Sequence, residues 1–582
     1  MRAFWSKAFW LTVFMVSAVS LAMGATISGT VKGPDGAPFE GAFVEAQNTT
    51  TNIMTDVLSH EDGSYQIPNL AAGTYRLTIQ AVGYKAAPQS ETLETADQHA
   101  NADFALQKGT VQWSQISLWQ AGLLMPDKPG KKDLFGACFG CHNFQSRMAT
   151  RQLNYQGWMG MVNYMRFDAA DYALGPQGIP VPLSNQMAGQ IAGYLSQVFG
   201  VNNHVPPSPA DLPGYAATVR KFTNQAMNIV YVVYPLQDST WCPFQAYPPT
   251  IQKGFYADGY AWAADYANGN RVVSIDPKTG KNTTYLVPTS GPNLKYPLAC
   301  KGEGIHAIEV GPHGNAWFAE QGCNRVGEAN PKTGKVTQFQ APFIAKSEWA
   351  IRGGAKHDSH PMLVDGKLYV FSSGDPASRL DPATGKFEAI PGVENTYDVY
   401  GDPVNGNVWF TDIGNNGPLY EVNSKTLKVI LEYRPKVDPQ AFRSHRIAIS
   451  SKGIVWLTCR GPFGANTIRI CSLNPKTKAF KQYTPLGPAK QDYAIALDNA
   501  GNVWYSMTFS DTVQRLDPKT GKMIEYPFPY PEITIRKFWR DADGHIWWAS
   551  NGNASVGYFY VAPYAHHSQP KPEPPAYGGV GE

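Results

Sequence analysis

Between residue 26 and about residue 107 apolar and polar positions alternate over short runs, as in Ile27-Ser28-Gly29-Thr30-Val31 and Tyr75-Arg76-Leu77-Thr78-Ile79. Turn pairs such as Asp35-Gly36 and Asp62-Gly63 separate the runs. A period of two is that of a half-buried strand, so residues 25–107 predict a small antiparallel β-sandwich. From about 131 to 200 the pattern becomes that of a short helical segment, and the Pro-rich stretch "HVPPSPADLP" then reads as a linker.

The remainder of the chain repeats. The turn text "DPKTG" or a close variant begins at 276, 330, 381, 423, 474 and 517. A second marker accompanies it, an aromatic on a strand at Trp262, Trp317, Tyr369, Trp409, Trp456, Trp504 and Trp547. A period near 45 residues with several short strands per unit is the signature of a β-propeller, here seven-bladed over residues 222–562. The last unit stops without its final strand, while "NIVYVVYPL" at 228–236 supplies one before the first unit. Exchanging that strand between the chain ends would close the ring and remove a free sheet edge.

Composition agrees with mainly β modules. The 582 residues exceed one hydrophobic core, and 55 Gly and 45 Pro against 16% charged residues favour turn-rich architecture. Arg2, Lys7 and an apolar stretch ending at Ala22-Met23-Gly24 predict a signal peptide over residues 1–24, hence a periplasmic or secreted protein with no membrane span after cleavage. No Lys/Arg cluster breaks the near-neutral balance, which argues against nucleic acid as a partner. In an oxidising compartment Cys459 and Cys471, flanking residues 460–470, are placed to bridge neighbouring strands.

The chemistry concentrates in two places. The first is Cys138-Phe139-Gly140-Cys141-His142, where two thiols can form thioethers with haem vinyl groups while His142 reaches the iron. The next histidine, His204, lies in the linker, so a methionine is expected on the opposite haem face. Met148 is too near His142 to cross the ring, leaving Met159, Met161, Met165 and Met187. "LFGACFGCHNF" and "SNQMAGQIAGYLSQVFG" resemble the opening and the closing helix of class I cytochromes c. The resemblance implies a small all-α cytochrome c domain over residues 131–200 carrying one haem c. Within it "GWMGMVNYMRF" is similar to short cytochromes whose middle helix ends in the ligand Met, which implies Met165, with Met187 as runner-up.

The second place is the propeller's central channel. Counting back eleven residues from the marker aromatics gives His306, His445, Tyr493 and Arg536, and small shifts give His360 and Tyr397. These are expected at one mouth of the channel, where His306, His360, His445 and Tyr493 are candidates for acid/base chemistry or for holding a metal. "GIHAIEVGPHGNAWFAEQGCNRVGEANPKTGKVTQFQAP" resembles the repeats of virginiamycin B (streptogramin) lyases. In that family an acid/base histidine and a metal-holding glutamate lie fourteen residues apart, a spacing matched by His306 and Glu320, while a further metal glutamate falls on Gly304. The likeness implies Mg2+ and carbon–oxygen lyase chemistry. "ISGTVKGPDGAPFEGAFVEA" and "EDGSYQIPNLAAGTYRLTIQAVGY" resemble the carboxypeptidase regulatory-like family, accessory domains that contact sugars or partners, and so imply a polysaccharide partner.

Together these readings point to an exported mono-haem c-type cytochrome whose propeller binds a small-molecule substrate or a redox partner protein, with electron-transfer or oxidoreductase activity. A tethered haem would gain a high effective concentration at the propeller surface. The alternatives are an Mg2+-dependent lyase and a non-enzymatic carbohydrate-binding protein.

Overall fold

A computed structural model describes residues 24–563 apart from 140–142, 144, 170–182, 237–242, 248–258, 266–270, 289–304, 311–313, 321–324, 342–360, 365–366, 371–375, 413–416, 436–442, 461–467, 488–491, 542 and 551–554. The signal segment, Cys141, His142 and His360 lie outside the described residues. No helix among the described residues is long and apolar enough to cross a membrane.

The N-terminal strands form two facing sheets. Ala25–Lys32 pairs antiparallel with Ser64–Leu70 and parallel with His99–Asn101, opposite a sheet ordered Met54–Leu58, Phe43–Asn48, Gly73–Gln80 and Gln89–Leu93. Ile27, Val44, Val57, Ile67, Leu77 and Phe104 meet between them, the inward half of the alternation. At Gly29 a Cβ would sit 1.9 Å from the Ala102 carbonyl oxygen, so only glycine allows the strands to approach.

Six four-stranded antiparallel sheets follow, and a seventh is assembled from both ends of the repeat region. Their innermost strands are Pro243–Tyr247, Ile305–Val310, Pro361–Val364, Thr396–Gly401, Arg443–Ile449, Asp492–Leu497 and Ile535–Arg540. Each touches the next, and the first touches the last, so the sheets close into the ring of a seven-bladed β-propeller. The marker aromatics all lie buried on the second strands, and four pack tilted against an aromatic of the outermost strand: Trp262 on Tyr285, Trp317 on Phe339, Trp456 on Tyr483 and Trp504 on Tyr526. The repeated turn text joins strands three and four. Its Asp or Asn accepts a backbone N–H two residues on, at Asp276, Asn330, Asp381, Asn423, Asn474 and Asp517. Its glycine has positive φ at 280, 334, 385 and 521, while Leu427 and Lys478 adopt the same strained region where the text departs from glycine.

The ring closes by the expected exchange. Ile229–Pro235 pairs along its whole length with Ser555–Val561, and Tyr234 stacks on Trp547 at 5.6 Å, reproducing the aromatic pair of the other blades. The structure goes further than the sequence did. The other edge of this strand pairs with Met54–Leu58, so blade seven and one sheet of the sandwich form a single eight-stranded sheet. Both free edges are thereby covered. Cys459 and Cys471 form the expected disulfide, with Cα atoms 6.1 Å apart on adjacent strands.

The helical unit also differs from expectation. It begins before residue 131, because Trp113, Ile116 and the helix Leu118–Leu124 bury their apolar side chains with those of Tyr155–Asn163 and Asn185–Val198 in one core. The Pro-rich stretch is not a free tether. Val205 enters the same core, and the Pro206 carbonyl accepts the Trp113 indole N–H at 2.9 Å.

Candidate functional site

The channel residues are brought together by a repeated irregularity. In every blade but the third the innermost strand slips register, between Pro243 and Gln245, Ile305 and Ile308, Thr396 and Asp398, Ser444 and Ile447, Asp492 and Ile495, and Ile535 and Phe538. A bulge of this kind re-aims side chains that a regular strand would send into the blade. The displaced residues include Tyr397, His445, Tyr493 and Arg536, found by counting back from the aromatics, and the His306 backbone lies at the same step.

His445 lies between two tyrosines, its ring 4.1 Å from Tyr397 and 4.2 Å from Tyr493, and the two hydroxyls touch each other. Arg536 lies over the Tyr493 ring at 4.3 Å. These side chains come from blades four to seven and are only about 5–6% exposed. Beneath them is a fully buried charged layer formed by the next residues in three of the same bulges. Asp398 accepts a hydrogen bond from the Lys537 ammonium at 2.6 Å and lies 3.5 Å from the Arg446 guanidinium. Blades four and seven are not neighbours, so Asp398 and Lys537 can meet only across the channel. Arg446 also lies over Tyr397 and Tyr493, at 4.9 and 5.2 Å. Burial lowers the Lys537 ammonium to about 8, and the Asp398 carboxylate opposes that fall. This mouth is a cross-braced polar plug.

The structure does not unite every expected residue. Of His306 only the backbone is described, and it lies in the blade-two bulge. Glu320, expected to hold a metal, is fully buried within its blade, where its carboxylate accepts a hydrogen bond from Gln338 at 2.8 Å and lies 3.4 Å from the Arg325 side chain. An adjacent guanidinium already supplies the positive charge that a divalent ion would bring, which disfavours a metal there.

At the Cys138–His142 run, Cys138 is half-buried at the end of the helix Lys131–Ala137 and packs on the helical core. Met165 lies just beyond the helix Tyr155–Asn163 and is 37% exposed; Met159 and Met161 pack on the core, and Met187 opens the helix Asn185–Val198. The residues flanking the motif reach the propeller. Asn143 donates its side-chain amide to the carbonyls of Thr508 at 2.7 Å and Ile533 at 3.2 Å. Ser146 donates its backbone N–H and hydroxyl to Glu532 at 2.8 and 2.6 Å. Asp511 lies alongside, buried, its carboxyl raised by burial to about 8 while it accepts the Ile533 N–H at 2.9 Å. Ile533 precedes Arg536 by three residues, about 10 Å of extended chain, so the motif's flank docks at the same mouth as the histidine–tyrosine cluster.

Asp398, Arg446, Lys537, Asn143 and Glu532 are the residues that sequence reading missed. The first three carried one signal: each is charged in a strand that otherwise reads as core, immediately after a channel residue or at the same step.

Residues 26–107 match the carboxypeptidase regulatory-like domain. No curated protein matches the chain by sequence. Among solved structures, a streptogramin B lyase has 19% identity, covering 57% of this chain and 98% of its own, with a TM-score of 0.44. A catalytically inactive virginiamycin B lyase from Staphylococcus aureus with quinupristin has 17% identity, covering 57% and 100%, with a TM-score of 0.45. A WD40 β-propeller domain has 13% identity, covering 57% and 96%, with a TM-score of 0.40. The propeller assignment rests on the strand order and ring closure.

Proposed function

We propose that the chain is an exported mono-haem c-type cytochrome whose propeller channel binds a small molecule beside the haem motif, the whole serving electron transfer. The observation that carries this reading is the docking of Asn143 and Ser146, which flank the motif, onto the channel mouth near Arg536, His445 and Tyr493. A motif held against a ligand site suits electron exchange with what that site holds, and it replaces the tethered arrangement expected from the sequence.

The donor set fits haem c. Cys138 is half-buried beside an apolar helical core, and a macrocycle needs that surface on its faces. Cys138 and Cys141 would hold the group through thioethers, and His142 and Met165 would hold its iron. When bound, haem c supplies a one-electron couple. The chain's own residues do the rest: the tyrosines and His445 line the mouth, and Lys537 and Arg446 hold positive charge beneath it. The lyase alternative has less support, because Glu320 is already engaged by Arg325 and Gln338.

Expression in a cytochrome c maturation strain tests the haem assignment. Cys138→Ala and Cys141→Ala should each lose the double-thioether spectrum, and full attachment in the double variant would end this reading. Met165→Ala should convert the reduced protein from low spin to high spin while Met187→Ala does not; the reverse outcome transfers the axial role to Met187.

A further inference from the structure

The charged layer beneath the channel mouth holds a guanidinium with nothing to donate to. Arg446 is fully buried, yet among the described residues none of its Nε, Nη1 or Nη2 groups makes a hydrogen bond, and its ion pair with Asp398 is long at 3.5 Å. Asp398 already accepts the shorter bond from Lys537 and backbone N–H groups from Val399 and Ile447. One carboxylate is therefore shared by two buried cations. Glu309, also buried, exerts a weaker pull on Lys537. A guanidinium carries five donors in a flat fork, and leaving them unmet in the interior is costly, so such a group marks a place where an acceptor belongs.

The geometry above Arg446 says what kind of acceptor. Its guanidinium faces Tyr397 and Tyr493, whose hydroxyls meet each other, and Arg536 stands over the second of these rings. Parting the two hydroxyls would present two O–H donors, with the Arg446 fork below and a second guanidinium to the side. Donors in that arrangement match the two in-plane oxygens of a carboxylate. The rings of Tyr397, His445 and Tyr493 offer flat apolar faces to the body that carries it.

We propose that this channel site recognises small organic carboxylates, the ligand's anionic group displacing the Tyr397–Tyr493 contact and taking the Arg446 fork. The proposal rests on the reading of the channel as a ligand site, and it names the substrate class of that site.

Calorimetric titration of the full-length, haem-loaded ferric protein tests it with benzoate, the isosteric neutral benzamide, and inorganic phosphate as a tetrahedral anion. Benzoate should bind at least about tenfold more tightly than either control. Arg446→Lys keeps the charge that Asp398 needs but loses the fork, and should weaken benzoate binding about 10- to 100-fold, the weight of one charge-assisted hydrogen bond. Thermal unfolding of that variant checks its fold, and Tyr493→Phe, which leaves every charge in place, should weaken binding by a smaller factor. No benzoate binding to the wild type, equal binding of benzamide, tighter binding of phosphate, or wild-type affinity in both variants would overturn the proposal. Titration of the ferric state requires no electron transfer, so benzoate binding together with a haem that no channel ligand ever reduces would contradict the electron-transfer function and leave the carboxylate site standing.

Discussion

Two buried carboxylates in this propeller have similar cationic partners and opposite meanings. Glu320 pairs with Arg325 directly across two strands of one blade, and the pair finishes within that sheet. Asp398 reaches Lys537 from a non-adjacent blade and shares itself with Arg446 of the neighbouring one, so its contact with Lys537 exists only across the channel. A pair inside a blade reports on that blade. A pair across the channel reports on the assembly, and it lies beneath the proposed ligand site.

The largest effect should come from breaking the second arrangement. Asp398→Asn leaves two buried cations with only the weaker pull of Glu309 on Lys537 and should cost about 3–5 kcal/mol in chemical denaturation as well as disrupting channel binding. Glu320→Gln keeps an acceptor for Gln338 and should cost less, about 1–3 kcal/mol, while benzoate affinity and the haem spectrum stay unchanged. If Glu320→Gln abolishes ligand binding, the distinction between the two carboxylates fails.

A pH series sharpens the contrast at the docking surface. The Asp511 carboxyl is raised to about 8, so between the ordinary carboxylate pKa near 4 and about 8 the folded state holds a proton that the unfolded state has lost. Stability should therefore fall as pH rises through that window, by up to roughly 1.4 kcal/mol per unit. Asp511→Asn, whose amide oxygen can still accept the Ile533 N–H, should remove that slope, raising the melting temperature relative to wild type at pH 8 and converging with it near pH 4. A slope unchanged in the variant would assign the dependence to other groups. The smallest effect is expected for Asn143→Ala, about 1–2 kcal/mol, since it leaves the Thr508 and Ile533 carbonyls without that donor. It should loosen the helical unit from the mouth without altering the blades.

The ring was legible in the sequence because its determinants are local. The Asx turn at Asp276 and its counterparts, the Trp on each second strand and the missing last strand all recur in short stretches of text. The channel tyrosines and His445 were found by counting, although the physical reason, a register slip at the same step in six blades, was hidden. That slip also hid Asp398, Arg446 and Lys537: in a regular strand the residue after a channel position points away from the channel, and a bulge lets both turn inward. The shared sheet at Met54–Leu58 was out of reach for another reason, because alternation tells which face of a strand is buried and not which strand lies beside it. The contacts of Asn143 and Ser146 with residues near 508 and 532 join distant parts of the chain and leave no periodic trace.

Haem reduction in the presence of channel ligands tests the central claim most directly. The oxidised, haem-loaded protein is mixed with pooled periplasmic small molecules, and the haem spectrum is followed over time in the wild type and in Arg446→Lys. The account predicts reduction of the wild type and at least about tenfold slower reduction of the variant at limiting ligand, with identical resting spectra. Equal rates in the two proteins, or a haem that no component of the pool reduces, would contradict it.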